Sequence, residues 1–435
     1  MTGHVNSIST ISIPFPDGQR VIALAVEYDT AISNSEVSPE HYCVTNRSIT
    51  KVYTNNEPEV EPVCESGNYV IIELDPKDQA AYTLTDLEGK PGGFNRGPGG
   101  PRDKHGPNGG PKKGPPPPLV LPNGKVFRGP HGLRAKREPL CQELCQVKPI
   151  SAENGTTIPA WDIGMTSTGE INKIVDLFRQ EHFRDIDYNL FVPEDYDPAQ
   201  SYPLVLFIHD AGVMGVSPLI ALEQGIGATV WARPEEQAKH PCFILAPQHA
   251  KDLPITNDDY EATDDLETIK ALCDEMKKRF SIDPKRIYVT GQSMGFMSSL
   301  ELMIRYPDYF AAGLVPAGHW DIQRTSNLWN KNVWMFISEE DRGGVRMFAL
   351  PDAIRDLGGQ IGEYTWSADQ SIETLSGLVK DAKNDGKNFR LTVFPGDTIW
   401  RHSQSDRTDG GGHNGTWHLV YQLESLRDWL FEQSL

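Results

Sequence analysis

The pentapeptide Gly291-Gln292-Ser293-Met294-Gly295 constrains this chain more than any other stretch. The β-rich run Arg286 to Thr290 leads into it, and the helical pattern Ser293 to Arg305 leads out. Strand, sharp turn and helix therefore meet at one serine. Such a turn needs glycine two residues to either side, because turn backbone and helix start crowd together there. The serine hydroxyl is lifted above a sheet edge with the helix N-terminus behind it. A serine in that place also serves as an ordinary helix cap, so the surrounding sequence has to decide between the two uses.

From about residue 176 onward, β-runs alternate with helical stretches. Tyr188 to Val192, Leu204 to Ile208, Cys242 to Ala246, Ile287 to Thr290, Ala311 to Val315, Val333 to Ile337 and Arg390 to Phe394 are continuous apolar segments. Strands buried on both faces of a parallel sheet read this way. Helices are expected over Asp264 to Phe280, Ser293 to Arg305, Asp352 to Leu357 and Thr416 to Gln433. The pattern predicts a doubly wound, mostly parallel α/β sheet of the α/β-hydrolase kind over residues 176–435.

Residues 6–85 have a different texture, in which short β-rich runs alternate with turn residues, as in an all-β sandwich. Residues 91–118 are dominated by glycine and proline, with Arg102, Lys104, Lys112 and Lys113 interspersed. Such a composition cannot bury a core and reads as an insertion in a loop. Short β-runs resume at Lys125 to Phe127 and near Cys145, so a sandwich domain is expected over residues 1–165. With 435 residues the chain has length for two such cores.

A net charge of −19 argues against nucleic acid or an anionic membrane as partner, because both would be repelled. An uncharged or cationic small molecule fits better. The six cysteines are too few for a disulfide-built scaffold, and Cys141 and Cys145 lack a zinc spacing. No run has the length of a membrane span, and Met1 to Pro14 lacks the charged start and apolar stretch of a secretory signal, so a cytoplasmic protein or a removed leader is expected. Oligomeric state is left open.

Serine chemistry needs a base within hydrogen-bond reach and an acid that fixes the base's tautomer. In this architecture they follow the serine in the order acid, histidine, each just beyond a strand's C-terminal end. Asp341 closes Ser338-Glu-Glu-Asp341 after the run Val333 to Ile337, with Glu339 and Glu340 as rivals. His413 lies in the glycine-rich stretch Gly410 to Gly415, expected as a loop, with His402 and His418 as rivals. The oxyanion needs two backbone N–H donors: Met294, after the serine, and Asp210 or Ala211, after the run Leu204 to Ile208. His209 and Gln292, flanking those donors, and Trp320 and Trp417, beside the expected site loops, are candidate pocket walls. No metal or organic cofactor is required.

Taken together, Pro203 to Gly212, Gly291 to Gly295, Ser338 to Asp341 and His413 to Trp417 resemble the esterases related to polyhydroxybutyrate depolymerases. The resemblance covers most of residues 176–435 and implies Ser293, Asp341 and His413 as triad. Some of that family carry an N-terminal immunoglobulin-like domain, which Gly18 to Tyr28 and Arg47 to Tyr53 resemble. It implies a serine carboxylic-ester hydrolase that forms an acyl-enzyme on a small-molecule ester, with short-chain or aromatic, feruloyl-type acyl groups. A serine peptidase or polyester depolymerase is the enzymatic alternative, and a binding protein with a degenerate hydrolase domain the non-enzymatic one. Two positions depart from the family: Phe296 replaces a glycine after the serine turn, and His209-Asp210 replaces His-Gly.

Overall fold

The computed structural model describes residues 4–87, 119–120, 126–127, 134–402 and 411–435. The Gly/Pro-rich stretch 91–118, expected as a loop insertion, lies outside them. Two compact units divide the chain. The first draws on Met1–Gly92 and Arg137–Leu177, the second on Gly93–Lys136 and Phe178–Leu435.

In the first unit, β1 (Val5–Phe15), β2 (Gly18–Ser33), β3 (Tyr42–Val44), β4 (Ile49–Asn55), β5 (Ser66–Leu74), β6 (Glu143–Gln146), β7 (Trp161–Thr166) and β8 (Gly169–Asn172) make two sheets. Their orders are β8-β1-β2-β5-β4 and β7-β6-β3. The period of two along a strand sends alternate side chains to opposite faces. Leu24, Val26 and Tyr28 of β2 join Val70 and Ile72 of β5 in one core with Tyr42, Val44 and Leu144 of the smaller sheet. Ala23, Ala25 and Ile71 pack with Ile11 and Tyr53 on the other face. The Tyr28 hydroxyl, 2.9 Å from that of Tyr42 and 2.8 Å from Gln146 Oε1, links the two sheets. This is the immunoglobulin-like sandwich.

In the second unit, nine strands form one sheet: β9 (Arg179–Phe183), β10 (Ile186–Phe191), β11 (Tyr202–Ile208), β12 (Phe243–Gln248), β13 (Ile282–Gly291), β14 (Ala312–Pro316), β15 (Asn332–Ser338), β16 (Ile361–Thr365) and β17 (Phe389–Phe394). The order is β9-β10-β12-β11-β13-β14-β15-β17-β16. From β12 to β16 the neighbours run parallel. All seven residues of β11 are buried, as its unbroken apolar run requires. The expected parallel strand at Tyr188 is instead antiparallel to both its neighbours. An apolar run reports burial and carries no information about direction.

The helices obey the same physics. In α1 (Asp265–Arg279), Leu266, Ile269, Leu272, Cys273 and Met276 form one buried stripe, with acids in the first turn and Lys277, Lys278 and Arg279 in the last. Every residue of α2 (Met294–Arg305) from Met294 to Met303 is buried. The expected C-terminal helix Thr416 to Gln433 is two helices, α3 (Gly411–Val420) and α4 (Glu424–Phe431). Leu423 leaves the helical conformation at φ −79°, ψ 98°, and the free Tyr421 carbonyl accepts from Arg427 Nη1 at 2.9 Å. Both pieces bury apolar side chains, so hydrophobic pattern alone does not reveal the break.

Candidate active site

Ser293 stands two residues beyond β13 and caps α2 with φ 55°, ψ −113°. Positive φ is strained for a residue with a Cβ, and such strain concentrates at functional turns. The turn is tight because β11 and β13 leave the sheet side by side, Ile208 paired with Gly291. A Cβ on Gly295 would lie 1.9 Å from the Ile208 carbonyl oxygen. Only glycine fits there. The Ser293 amide donates to the Ala317 carbonyl at 2.8 Å, which ties the turn to the segment after β14, and the serine itself is half-buried.

Asp341 follows β15, two strands along from β13, and is buried. Its Oδ2 lies 2.7 Å from His413 Nδ1, while Oδ1 accepts from the Gly343 amide at 2.9 Å. Burial on its own would raise this carboxyl. The charge and hydrogen bond of His413, with the Gly343 and Gly344 amides, hold it below its ordinary value. The rivals point elsewhere: exposed Glu339 accepts from the Gly396 amide, and Glu340 is exposed.

His413 occupies the first turn of α3 rather than the glycine-rich loop expected for it. The glycines serve approach instead of flexibility, since a Cβ on Gly412 would come within 2.5 Å of Glu340 Cβ. This closeness lets the helix bring the imidazole onto Asp341. Burial disfavours the imidazolium, but Asp341, then Asp210 and Asp258, raise the His413 pKa above its ordinary value. The ring edge meets Trp417 at 5.0 Å between centroids. His413 Nε2 is buried and has no hydrogen-bond partner among the described residues. The Ser293 hydroxyl is thus not hydrogen-bonded to it here. His402 and His418 are engaged by backbone carbonyls.

The amides of Met294 and Ala211 donate to no backbone or side-chain acceptor among the described residues. Asp210 differs. Its carboxylate caps the turn Ala211–Val213, with Oδ1 accepting from the Gly212 amide at 2.7 Å, and it lies close to Asp210's own amide. Of the two expected second donors, Ala211 is thus the one whose amide is left free among the described residues. Gln292 is buried, with Nε2 2.8 Å from Gln224 Oε1 and 3.4 Å from Asp210 Oδ2.

Two expected pocket walls are corrected. His209 is fully buried. The His249 amide donates to its Nε2 at 2.9 Å, so its Nδ1 carries the proton donated to the Asp210 carbonyl at 2.7 Å. Burial drives its pKa down to about 3, and a neutral ring with both nitrogens satisfied has nothing left for a substrate. Trp320 is fully buried, its indole N–H on Glu301 Oε2 at 3.0 Å. The apolar body and polar handle of each residue are used inside the fold. Sequence reasoning missed His319, buried beside the acid loop, whose Nε2 accepts from Arg346 Nη1 at 2.8 Å. A lone histidine after a strand gave no signal for it.

Comparison with known proteins adds the kinship. Residues 7–159 match the esterase Ig-like N-terminal domain. Over its full length the fold is similar to a thermostable esterase, at 25% identity and TM-score 0.74, covering 99% of this chain and 100% of that one. The chain thus has the fold of an α/β-hydrolase esterase behind an immunoglobulin-like N-terminal domain. Poly(3-hydroxyalkanoate) depolymerase C of Paucimonas lemoignei is 45% identical over 51 residues, a segment that spans 12% of this chain and 12% of that protein. A feruloyl esterase module from Clostridium thermocellum superposes with TM-score 0.38 at 14% identity, over 57% of this chain and 86% of that one.

Proposed function

We propose that this chain is a serine carboxylic-ester hydrolase working through an acyl-enzyme at Ser293. One observation carries the reading: the 2.7 Å contact of Asp341 Oδ2 with His413 Nδ1 coincides with a partnerless His413 Nε2. A carboxylate on Nδ1 keeps the proton there and leaves Nε2 as the basic nitrogen. His413 Nε2 takes the Ser293 proton as Oγ adds to the ester carbonyl. The oxyanion is received by the Met294 and Ala211 amides, and the N-terminus of α2 adds a favourable dipole. Collapse expels the alcohol, which takes the proton back from His413. A water then repeats the sequence and releases the acid.

Short-chain and aromatic, feruloyl-type esters are the proposed substrates, with an uncharged or cationic small molecule favoured by the charge of −19. The test uses a fluorophosphonate probe together with a panel of p-nitrophenyl esters and one hydroxycinnamate ester. Wild type should be labelled and should hydrolyse at least one ester, and Ser293→Ala should do neither. An unlabelled wild type, or a Ser293→Ala variant of unchanged activity, refutes the assignment.

A further inference from the structure

Asp210 is a buried acid immediately before Ala211, and the mechanism above does not use its side chain. Its Oδ1 accepts from the Gly212 amide at 2.7 Å, fixing the turn that presents the Ala211 amide. Its Oδ2 lies 3.4 Å from Gln292 Nε2, the side chain immediately before Ser293. Gln292 is in turn fixed by Gln224 Oε1 at 2.8 Å and by the Tyr421 hydroxyl at 3.4 Å. That hydroxyl lies 3.1 Å from Thr290 Oγ1 of β13. The two N–H donors for the oxyanion belong to different loops, and Asp210 is the side chain that touches both.

Resting on the ester-hydrolase reading, we infer that Asp210 is a positioning residue: it locks the Ala211 turn to the serine turn. The lock matters because a shift of about 1 Å between the two amides is enough to cost on the order of a hundredfold in rate.

Two substitutions test the lock from its two sides. Asp210→Asn places a donor against Gln292 Nε2, and Gln292→Met removes the amide that Asp210 meets. Each should lower kcat about tenfold or more with KM within about twofold. Gln292→Met decides the matter if Asp210→Asn does not fold. A labelled, active wild type whose kcat is unchanged in a folded Asp210→Asn or Gln292→Met variant refutes the inference alone. Failure of the wild type to label removes the hydrolase reading, and this inference with it.

Discussion

Gly295→Ala tests the elbow geometry most directly. The added Cβ would stand 1.9 Å from the Ile208 carbonyl oxygen and 2.8 Å from its carbon. Real Cβ atoms do not approach closer than 3.0 Å, so strand and helix must part by about 1.1 Å. The obstacle is backbone in the middle of a parallel sheet, and no side chain can swing away to relieve it. Overpacking of this kind costs about 1–3 kcal/mol, or about 2–4 °C in melting temperature per kcal/mol for a unit of this size. The activity should suffer more, because the displaced peptide carries the Met294 amide. Loss of one oxyanion donor, or about 1 Å of misplacement, costs roughly a hundredfold in kcat. Gly377→Ala is the control, since its Cβ would meet nothing within 4 Å in the exposed middle of the helix Ile372–Ala382. That change should stabilise by about 0.5–1 kcal/mol and leave kcat alone. Thermal unfolding and p-nitrophenyl ester kinetics on both variants decide it. A Gly295→Ala protein within threefold of wild-type kcat and with an unmoved melting temperature would refute the crowding argument.

Two further outcomes are expected. The base must be neutral to accept the Ser293 proton, and its folded pKa is raised above the ordinary 6.5. Activity should therefore be lost as pH falls through a value above 6.5, and an acid limb of kcat/KM centred below about 6 would contradict the carboxylate environment of His413. Separately, Arg427 Nε meets Glu236 Oε2 at 2.6 Å with both side chains nearly buried. Glu236→Ala strands that guanidinium and should cost about 3–5 kcal/mol, read by denaturant unfolding, where a loss below about 1 kcal/mol would show the pair to be dispensable.

The serine turn was legible because its constraint is local: strand, glycine spacing and helix must all appear within about twenty residues for it to exist. Asp341 and His413 were legible for a weaker reason, their order along the chain and their place after apolar runs. What escaped was decided by contacts across the sheet. The ring of His209 looks in sequence like a pocket group beside the oxyanion donor, yet the His249 amide, 40 residues away, fixes its role. Glycines 411 and 412 suggested a flexible loop, and the approach of α3 to Glu340 gave them a different purpose. The edge strands β9 and β16 were missed because both are short and only partly buried, with no continuous apolar run to betray them.

Backbone at φ 55°, ψ −113° has a consequence for how this protein can change. A serine held there gives up about 1–3 kcal/mol that a glycine would keep. Mutagenesis guided by heat tolerance alone would therefore favour Gly at position 293 and yield a sturdier molecule without the hydroxyl that the proposed mechanism needs. Durability and turnover pull this one site in opposite directions, and only a screen that scores both will preserve the serine.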